Sequence, residues 1–566
     1  MSVTVVGSGP AVDAIEAAVS DIDHELSVRS RVETLADDLA VVVGVVGSDV
    51  FSIANEEARS NGTPWIAVEL GGIGGCSHPS VDVAVSGYGV STACFDCLRT
   101  RVRSGLDDSE ADSSDIDPET ARFGGALAGR ETVKTVSGSS SLFGRVIEVP
   151  HARRRIYSVP GCSCTGHREW TLSRAHEERS LQATLERAER AVDDRIGLIN
   201  EVGEAESFPV PYYLAQLADT TGFSDAQASQ QAAGVALGWD EAFMKALGEG
   251  LERYCAGVYD SDALYTARAG NLSAPIQPST FVRPDDPDDT APIEWVPGED
   301  LHTGETVSLP AARVLFPYEG PGPTITTGLG LGSSGAAALI AGVTEIIERD
   351  GALLAWYSTY EPLELSIDDE EYETLVARAR AEGLSVTASL LTQDVDIPVI
   401  GVAVHRDEEW PAFALGLAAD LDPIAAARSA CTEALQNWTE LRRMGKTGSR
   451  NAGGRIGHFA SRPPATEEFT NPKQTIPAAS IAADGPTGAD ALDLLLERLS
   501  DVGLDAYAAR LTTPDVEALG FEAVRVLVPR AQPLFIGESY FSERARTVPS
   551  ELGFEPRLQR EHHPYP

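Results

Sequence analysis

The chain opens on a β-branched apolar run that gives way to glycines and then to helical spacing: Val3-Thr-Val-Val-Gly7-Ser-Gly9-Pro-Ala-Val-Asp-Ala-Ile. Such a pattern predicts strand, tight turn, helix. Residues 39–46 form a second Val-rich strand, 55–61 look helical, and 64–70 form a third strand. Strands alternating with helices predict an α/β unit with a parallel sheet. Residues 104–118 are acidic and poor in apolar residues, which predicts a mobile loop. Helical spacing returns at 121–136, and 142–149 with 154–159 reads as a strand pair. Residues 169–195 are rich in Glu, Arg, Ala and Leu, with no Gly or Pro until Gly197. They predict one long helical connector.

Beyond it, Glu-x-x-Glu-Arg occurs twice, as Glu249-Gly-Leu-Glu252-Arg253 and Glu345-Ile-Ile-Glu348-Arg349. Residues three apart share a helix face, so each copy offers two adjacent carboxylates and a guanidinium. One copy alone reads as a solvated face with salt bridges. Two copies with apolar flanks predict facing helices whose carboxylates and arginines suit Mg²⁺ bridged to a polyphosphate. No GxxxxGK[ST] phosphate loop is present.

Composition narrows the setting. Across 566 residues the net charge is −42 and only four lysines occur, Lys134, Lys245, Lys446 and Lys473. Acid excess with lysine depletion suits concentrated salt, where screening weakens self-repulsion, and a halophilic source is expected. The absence of a basic tract argues against broad nucleic-acid binding. No signal peptide or transmembrane run is seen, and a cytoplasmic protein is expected. Seven cysteines in so long a chain do not make a disulfide scaffold. Cys94 and Cys97, with Cys162 and Cys164, form two pairs that suit tetrahedral structural Zn²⁺. A redox pair and unliganded cysteines are the alternatives. Cys255 and Cys431 have apolar neighbours and are expected to be buried packing.

The opening glycine turn resembles a Rossmann fold, with Val12 where a third glycine would stand. With the two cysteine pairs, the helix and the strand pair, residues 1–165 resemble the E1/ThiF-like domain of azole-forming peptide cyclodehydratases. A full glycine loop for adenylation is missing, so active adenylation is not expected. The peptide clamp that precedes this domain in leader-binding relatives is not seen ahead of the first strand. Residues 166–195 are read as the connector and 196–566 as the second domain.

That second domain resembles the YcaO family through an ordered set of motifs. Ala246-Leu-Gly-Glu-Gly-Leu-Glu-Arg-Tyr is similar to its first glutamate helix. Thr326-Thr-Gly-Leu-Gly-Leu-Gly before Glu345-Ile-Ile-Glu-Arg-Asp is similar to its second, and Ala427-Arg-Ser-Ala-Cys-Thr-Glu433-Ala-Leu-Gln436 to its third. The resemblance implies an α/β architecture: a truncated Rossmann/E1-like domain with a zinc site, then an α+β YcaO-type ATP-binding domain. It implies that Glu249, Glu252, Glu345 and Glu348 hold Mg²⁺-ATP, with Arg253, Arg349 and Arg428 at the phosphates and Gly328 in the turn beside the nucleotide. Lys245 either contacts phosphate or is solvated. Glu433 is the third-helix acid. The terminal His562-His-Pro564-Tyr-Pro566 is similar to the proline-rich end of azole-forming members, which reaches toward the active site and places Pro566 among the catalytic candidates.

The implied chemistry is ATP-dependent activation of a backbone amide. A Cys, Ser or Thr side chain adds to the carbonyl, phosphorylation lets its oxygen leave, and an azoline forms in a ribosomal peptide. Sulfur insertion into a peptide or a tRNA base is the first alternative and would need a sulfur-donor protein. A non-catalytic zinc-bearing recruiter is another. The expected partners are a peptide or protein substrate, or an RNA, a separate recruiting protein, and a second copy as a homodimer.

Overall fold

A computed structural model describes residues 2–22, 24–105, 116–150, 152–166, 168–284, 288–319, 325–407, 409–449, 456–481 and 485–566. Most of the expected mobile loop at 104–118 lies outside these residues.

The N-terminal unit is built on β1 (Ser2–Val6), β2 (Glu25–Arg29), β3 (Leu39–Val45), β4 (Trp65–Leu70), the small hairpin β5 (Gly72–Ile73) and β6 (Cys76–Ser77), β7 (Val83–Tyr88), β8 (Arg145–Val149) and β9 (Ala152–Arg155). Its main sheet runs β2-β1-β3-β4-β7-β8-β9. The first four strands are parallel, and β7, β8 and β9 follow antiparallel. Helix α1 (Pro10–Ser20) follows the glycine turn, with Gly9 as its N-cap and a proline in its first turn. Helices α2 (Val50–Asn61), α3 (Phe95–Ser104) and α4 (Pro118–Val136) complete the layers. The weakly apolar α4 packs closely on α1 because Gly125 and Gly129 let its backbone lie against Ala11 and Ile15.

The long connector helix is not formed. Only α5 (Leu181–Ala188) is helical, followed by one 3₁₀ turn, and Ser180 caps its start. Upstream, the chain is irregular because its arginines bind carbonyls on separate elements. Arg168 donates to Val258, Arg174 to Leu301 and Arg179 to Gly520. Good helix formers are thus overridden by tertiary hydrogen bonds, which no local propensity records.

Three smaller sheets follow. The first runs β10 (Ile199–Glu206), β11 (Tyr212–Leu217), β12 (Gln231–Val235), with α6 (Trp239–Gly257) after it. The next contains β13 (Tyr265–Ala267), β14 (Ile293–Asp300), β15 (Thr306–Pro310) and β16 (Leu329–Gly332), with the short helix α7 (Ala311–Val314) and then α8 (Gly335–Trp356). The last contains β17 (Leu363–Ser366), β18 (Ser385–Leu390), β19 (Val399–His405), β20 (Phe413–Ala419) and β21 (Thr475–Pro477), with α9 (Glu370–Ala381) and α10 (Pro423–Gly448). Strands β22 (Tyr507–Arg510) and β23 (Glu522–Leu527) return to the middle sheet, in the order β13-β14-β22-β23-β16.

In each sheet a strand at the end of the order packs under a long helix: β12 under α6, β16 under α8, β20 under α10. A glycine permits each approach. A Cβ on Gly234 would collide with the backbone of Ala242 and Ala246, one on Gly330 with Ala338 and Gly342, and one on Gly416 with Ala430 and Ala434.

The N-terminal unit is tied to α6 by buried polar groups. Arg101 on α3 pairs with Asp515 at 2.7 Å and donates to the carbonyls of Tyr157 and Ser158. Tyr254 of α6 donates to the same Asp515 carboxylate at 2.7 Å. A buried pair is costly to break on one side, because the remaining charge is stranded.

Gly416→Ala is expected to lower the thermal unfolding midpoint, since overpacking of this kind costs about 1–3 kcal/mol. Gly203→Ala, in β10, meets open space and should leave the midpoint nearly unchanged.

Candidate active site

Helices α6, α8 and α10 turn one glutamate each back onto a backbone amide in or beside the strand beneath. Glu249 Oε2 accepts the Ala233 N–H at 2.8 Å, Glu345 Oε2 that of Gly328 at 2.9 Å, and Glu433 Oε2 that of Leu417 at 2.5 Å. The edge amides would otherwise face a cleft unpaired, and the carboxylates satisfy them with charge-assisted hydrogen bonds. Gly328 has φ +90°, and a Cβ there would strike Val526 O. Its amide is thereby aimed at Glu345, a turn only glycine makes without strain.

One turn further along, α6 presents Glu252 and α8 presents Glu348; Gln436 takes that place on α10. Burial pushes the Glu252 carboxyl up to about 8, with Glu345 and Glu249 adding to it and Arg253 opposing. Burial likewise raises Glu348 to about 8, helped by Glu433 and Glu345 against Arg349. Glu433 is raised by burial in the same way. Five carboxylates are thus crowded together, and burial favours the protonated form of Glu252, Glu348 and Glu433. Glu252 accepts no hydrogen bond among the described residues.

The cations stand around this group. Arg253 donates to Glu249 at 3.1 Å. Arg349 Nε lies 3.4 Å from Glu348, and its Nη1 donates to the Pro566 oxygen at 3.0 Å. Pro566 is brought there by a docked tail. His563 and Tyr565 are buried, the Tyr565 hydroxyl donates to Ala352 O, and a His563 ring nitrogen bonds Phe535 O. Lys245 sits one turn before Glu249, its ammonium depressed by burial despite the charges of Glu241 and Glu433.

Arg525 was missed in the sequence. On β23, it donates to Thr326 O and Ile325 O and holds the loop leading to Gly328. Its guanidinium is lowered to about 10 by burial, opposed by Glu345. An arginine inside Ala523-Val-Arg525-Val-Leu527 was a readable signal, since a charge amid an apolar strand needs a partner.

Arg428 does not join the cage. It makes a two-pronged contact with Asp369 at the N-cap of α9 and reaches Glu371 at 2.7 Å. It lies five residues before Glu433, and five residues of helix place it on another face.

The donor set fits a hard cation with a polyphosphate: clustered carboxylate oxygens, and guanidiniums at the border. A cleft of about 460 Å³ opens beside it, lined by Glu249, Glu252, Lys245, Gly332 and Ser333.

On the N-terminal unit, the two cysteine pairs meet. Cys94 Sγ lies 3.8 Å from Cys97 and 3.6 Å from Cys162, and Cys97 lies 3.4 Å from Cys164. Tetrahedral zinc with Zn–S bonds of about 2.3 Å sets sulfurs about 3.8 Å apart, so the four fit such an ion. The Val159 N–H donates to Cys97 Sγ at 3.3 Å, the kind of contact that steadies a thiolate ligand. Cys255 and Cys431 are buried, as expected.

The family described as YcaO cyclodehydratase, ATP- and Mg²⁺-binding, matches residues 233–532. More than half the chain and all three glutamate helices fall within that match, and the chain belongs to the YcaO family. An uncharacterised protein of Methanothermobacter thermautotrophicus is 26% identical over 332 residues, covering 54% of this chain and 83% of its own length. Among solved structures, a heterocyclase in complex with substrate and cofactor superposes with a TM-score of 0.74 at 19% identity, covering 100% of this chain and 85% of that one. The YcaO protein of Methanopyrus kandleri, bound with AMPPCP and Mg²⁺, gives a TM-score of 0.51 at 24% identity, covering 62% of this chain and 91% of that one. These likenesses establish a shared mixed α/β fold.

The raised carboxylates make a pH prediction. Glu252 and Glu348 have an ordinary value of 4.5 and about 8 in the fold. Between those limits the folded state holds more protons than the unfolded one, so stability falls as pH rises. Without Mg²⁺ the thermal midpoint should drop from about pH 6 to about pH 8.5, and Mg²⁺ should raise it more at the higher pH. Replacing both residues by Gln should flatten both effects.

Proposed function

We propose that this chain activates backbone amides with ATP and closes Cys, Ser or Thr side chains of a peptide into azolines. The observation that carries the reading is the cluster of Glu249, Glu252, Glu345, Glu348 and Glu433, bordered by Arg349 and Arg525. Buried carboxylates that favour the protonated form on their own become ionised ligands when a hard cation shares them.

Mg²⁺ held there with ATP would neutralise charge as a phosphoryl group is transferred. The chain's own residues do the positioning. Backbone amides of Ala233, Gly328 and Leu417 fix one oxygen of each first glutamate and leave cage-facing carboxylates without reorganisation. Arg349 and Arg525, both held by main-chain oxygens, stand where phosphate oxygens gain a rigid donor. The substrate amide oxygen, once the side chain has added to its carbonyl, is phosphorylated and departs as phosphate. Pro566, docked on Arg349, borders the same space and is read as part of the catalytic surround. Arg253 and Gly328 act by holding Glu249 and Glu345.

Residues 1–165 are read as a truncated Rossmann/E1-like domain. The parallel order β2-β1-β3-β4 and the glycine turn before α1 support that assignment. Residues 166–195 link it to a YcaO domain at 196–566. The four cysteines are read as a structural zinc site. No helix among the described residues is long and apolar enough to cross a membrane. We infer a high-salt setting from the charge.

Glu345→Gln should weaken Mg²⁺-ATP binding in calorimetry by at least about tenfold, equal to about 1.4 kcal/mol. With Cys-, Ser- and Thr-containing peptides, mass spectrometry should find one water lost per phosphate released. Exchange of oxygen for sulfur would point to thioamide formation instead, and unchanged binding by the variant would remove the cage assignment.

A further inference from the structure

Five arginines line a second cavity of about 540 Å³ between the β8–β9 hairpin and the segment after α5: Arg145, Arg153, Arg154, Arg155 and Arg190, with Tyr157 and Asp193 beside them. In a chain of net charge −42 this concentration of positive charge stands out against its surroundings. Arg154 is neutralised by Glu148, Asp193 and Asp194. Arg155 lies over the Tyr157 ring at 5.7 Å. Arg145, Arg153 and Arg190 have no ion-pair partner among the described residues.

Among the described residues, the outer edge of the backbone here is unpaired too. Strand β9 is the last strand of its sheet and pairs with β8 alone. The Ile156 N–H donates to Gly144 O, which sets the phase of the ladder. Ala152 and Arg154 therefore turn their amides toward β8, while Arg153 and Arg155 turn theirs outward. Arg145 stands opposite Arg155 in register. That pair belongs to the non-hydrogen-bonded set, whose side chains approach most closely, and like charges so placed repel. An anion between them would remove the cost.

We propose that the β9 edge and its arginines bind an extended acidic segment of another polypeptide. The segment adds a strand to the sheet and sets carboxylates at alternate positions against Arg153 and Arg155, with Arg145 behind Arg155 adding to the positive field. The outward amides at every second residue favour a polypeptide over a nucleic acid, which has no strand to pair. The strongly acidic remainder of the surface would repel a long polyanion. This proposal stands independently of the ATP chemistry.

The probe is a dye-labelled peptide of alternating Glu and Val, followed by fluorescence anisotropy with the full chain across potassium chloride concentrations at which it is folded. Binding is expected, and Arg153→Glu with Arg155→Glu should weaken it by at least about tenfold. The corresponding Lys pair should stay within about threefold. The same peptide N-methylated at its glutamates keeps its charge and loses its donors, and should bind about tenfold more weakly. Thermal midpoints check that each variant is folded. The proposal fails if the natural chain binds no peptide, or if charge reversal changes nothing. It also fails if oligouridylate binds as tightly at the same arginines, or if sedimentation shows a dimer that the reversal dissociates.

Discussion

Holding like charges together in a protein needs an opposing structure, and here it is the backbone. Three strand-edge amides each grip one oxygen of a glutamate from the overlying helix, at Glu249, Glu345 and Glu433. A carboxylate fixed by a backbone amide cannot swing away from its neighbours. The rest of the site follows from that constraint. Glu252 and Glu348 lie one turn on, where burial, with repulsion from neighbouring glutamates, raises their pKa values and favours protons on them.

The grip works only because the helices lie close to the strands. Gly234, Gly330 and Gly416 remove the side chain at each closest approach, and small residues on the helices meet them. Three strand–helix units repeat this arrangement around one cleft. The tail closes one side through Arg349, while Arg525 reaches in from β23. On the other side Tyr254 ties α6 through Asp515 to Arg101 on the cysteine-bearing helix α3. The N-terminal unit thus fixes the position of one of the three glutamate helices.

Legibility in the sequence divided along physical lines. Local patterns read well: the Val-rich strands of the parallel sheet, and the Glu-x-x-Glu-Arg copies whose spacing puts both carboxylates on one helix face. The cysteine pairs, close in sequence within each pair, also come together. Features set by distant partners did not read. The amide grip depends on strand–helix register. Arg525 contacts the loop before Gly328 from the neighbouring strand β23, which lies 200 residues away in sequence. Residues 169–180 have helical composition, yet Arg174 and Arg179 within them, and Arg168 just before, are drawn to three separate carbonyls. Arg428 misleads because proximity to Glu433 in sequence is not proximity on the helix surface; its partner is Asp369.

The most direct test is diffraction from crystals of the full chain grown with AMPPCP and Mn²⁺, recorded at the manganese absorption edge. The account predicts anomalous density within about 2.1–2.2 Å of carboxylate oxygens from more than one glutamate helix, with the phosphates toward Arg349 and Arg525. Metal and nucleotide seated instead at the Gly7–Gly9 turn of the N-terminal sheet, with the glutamates untouched, would contradict it.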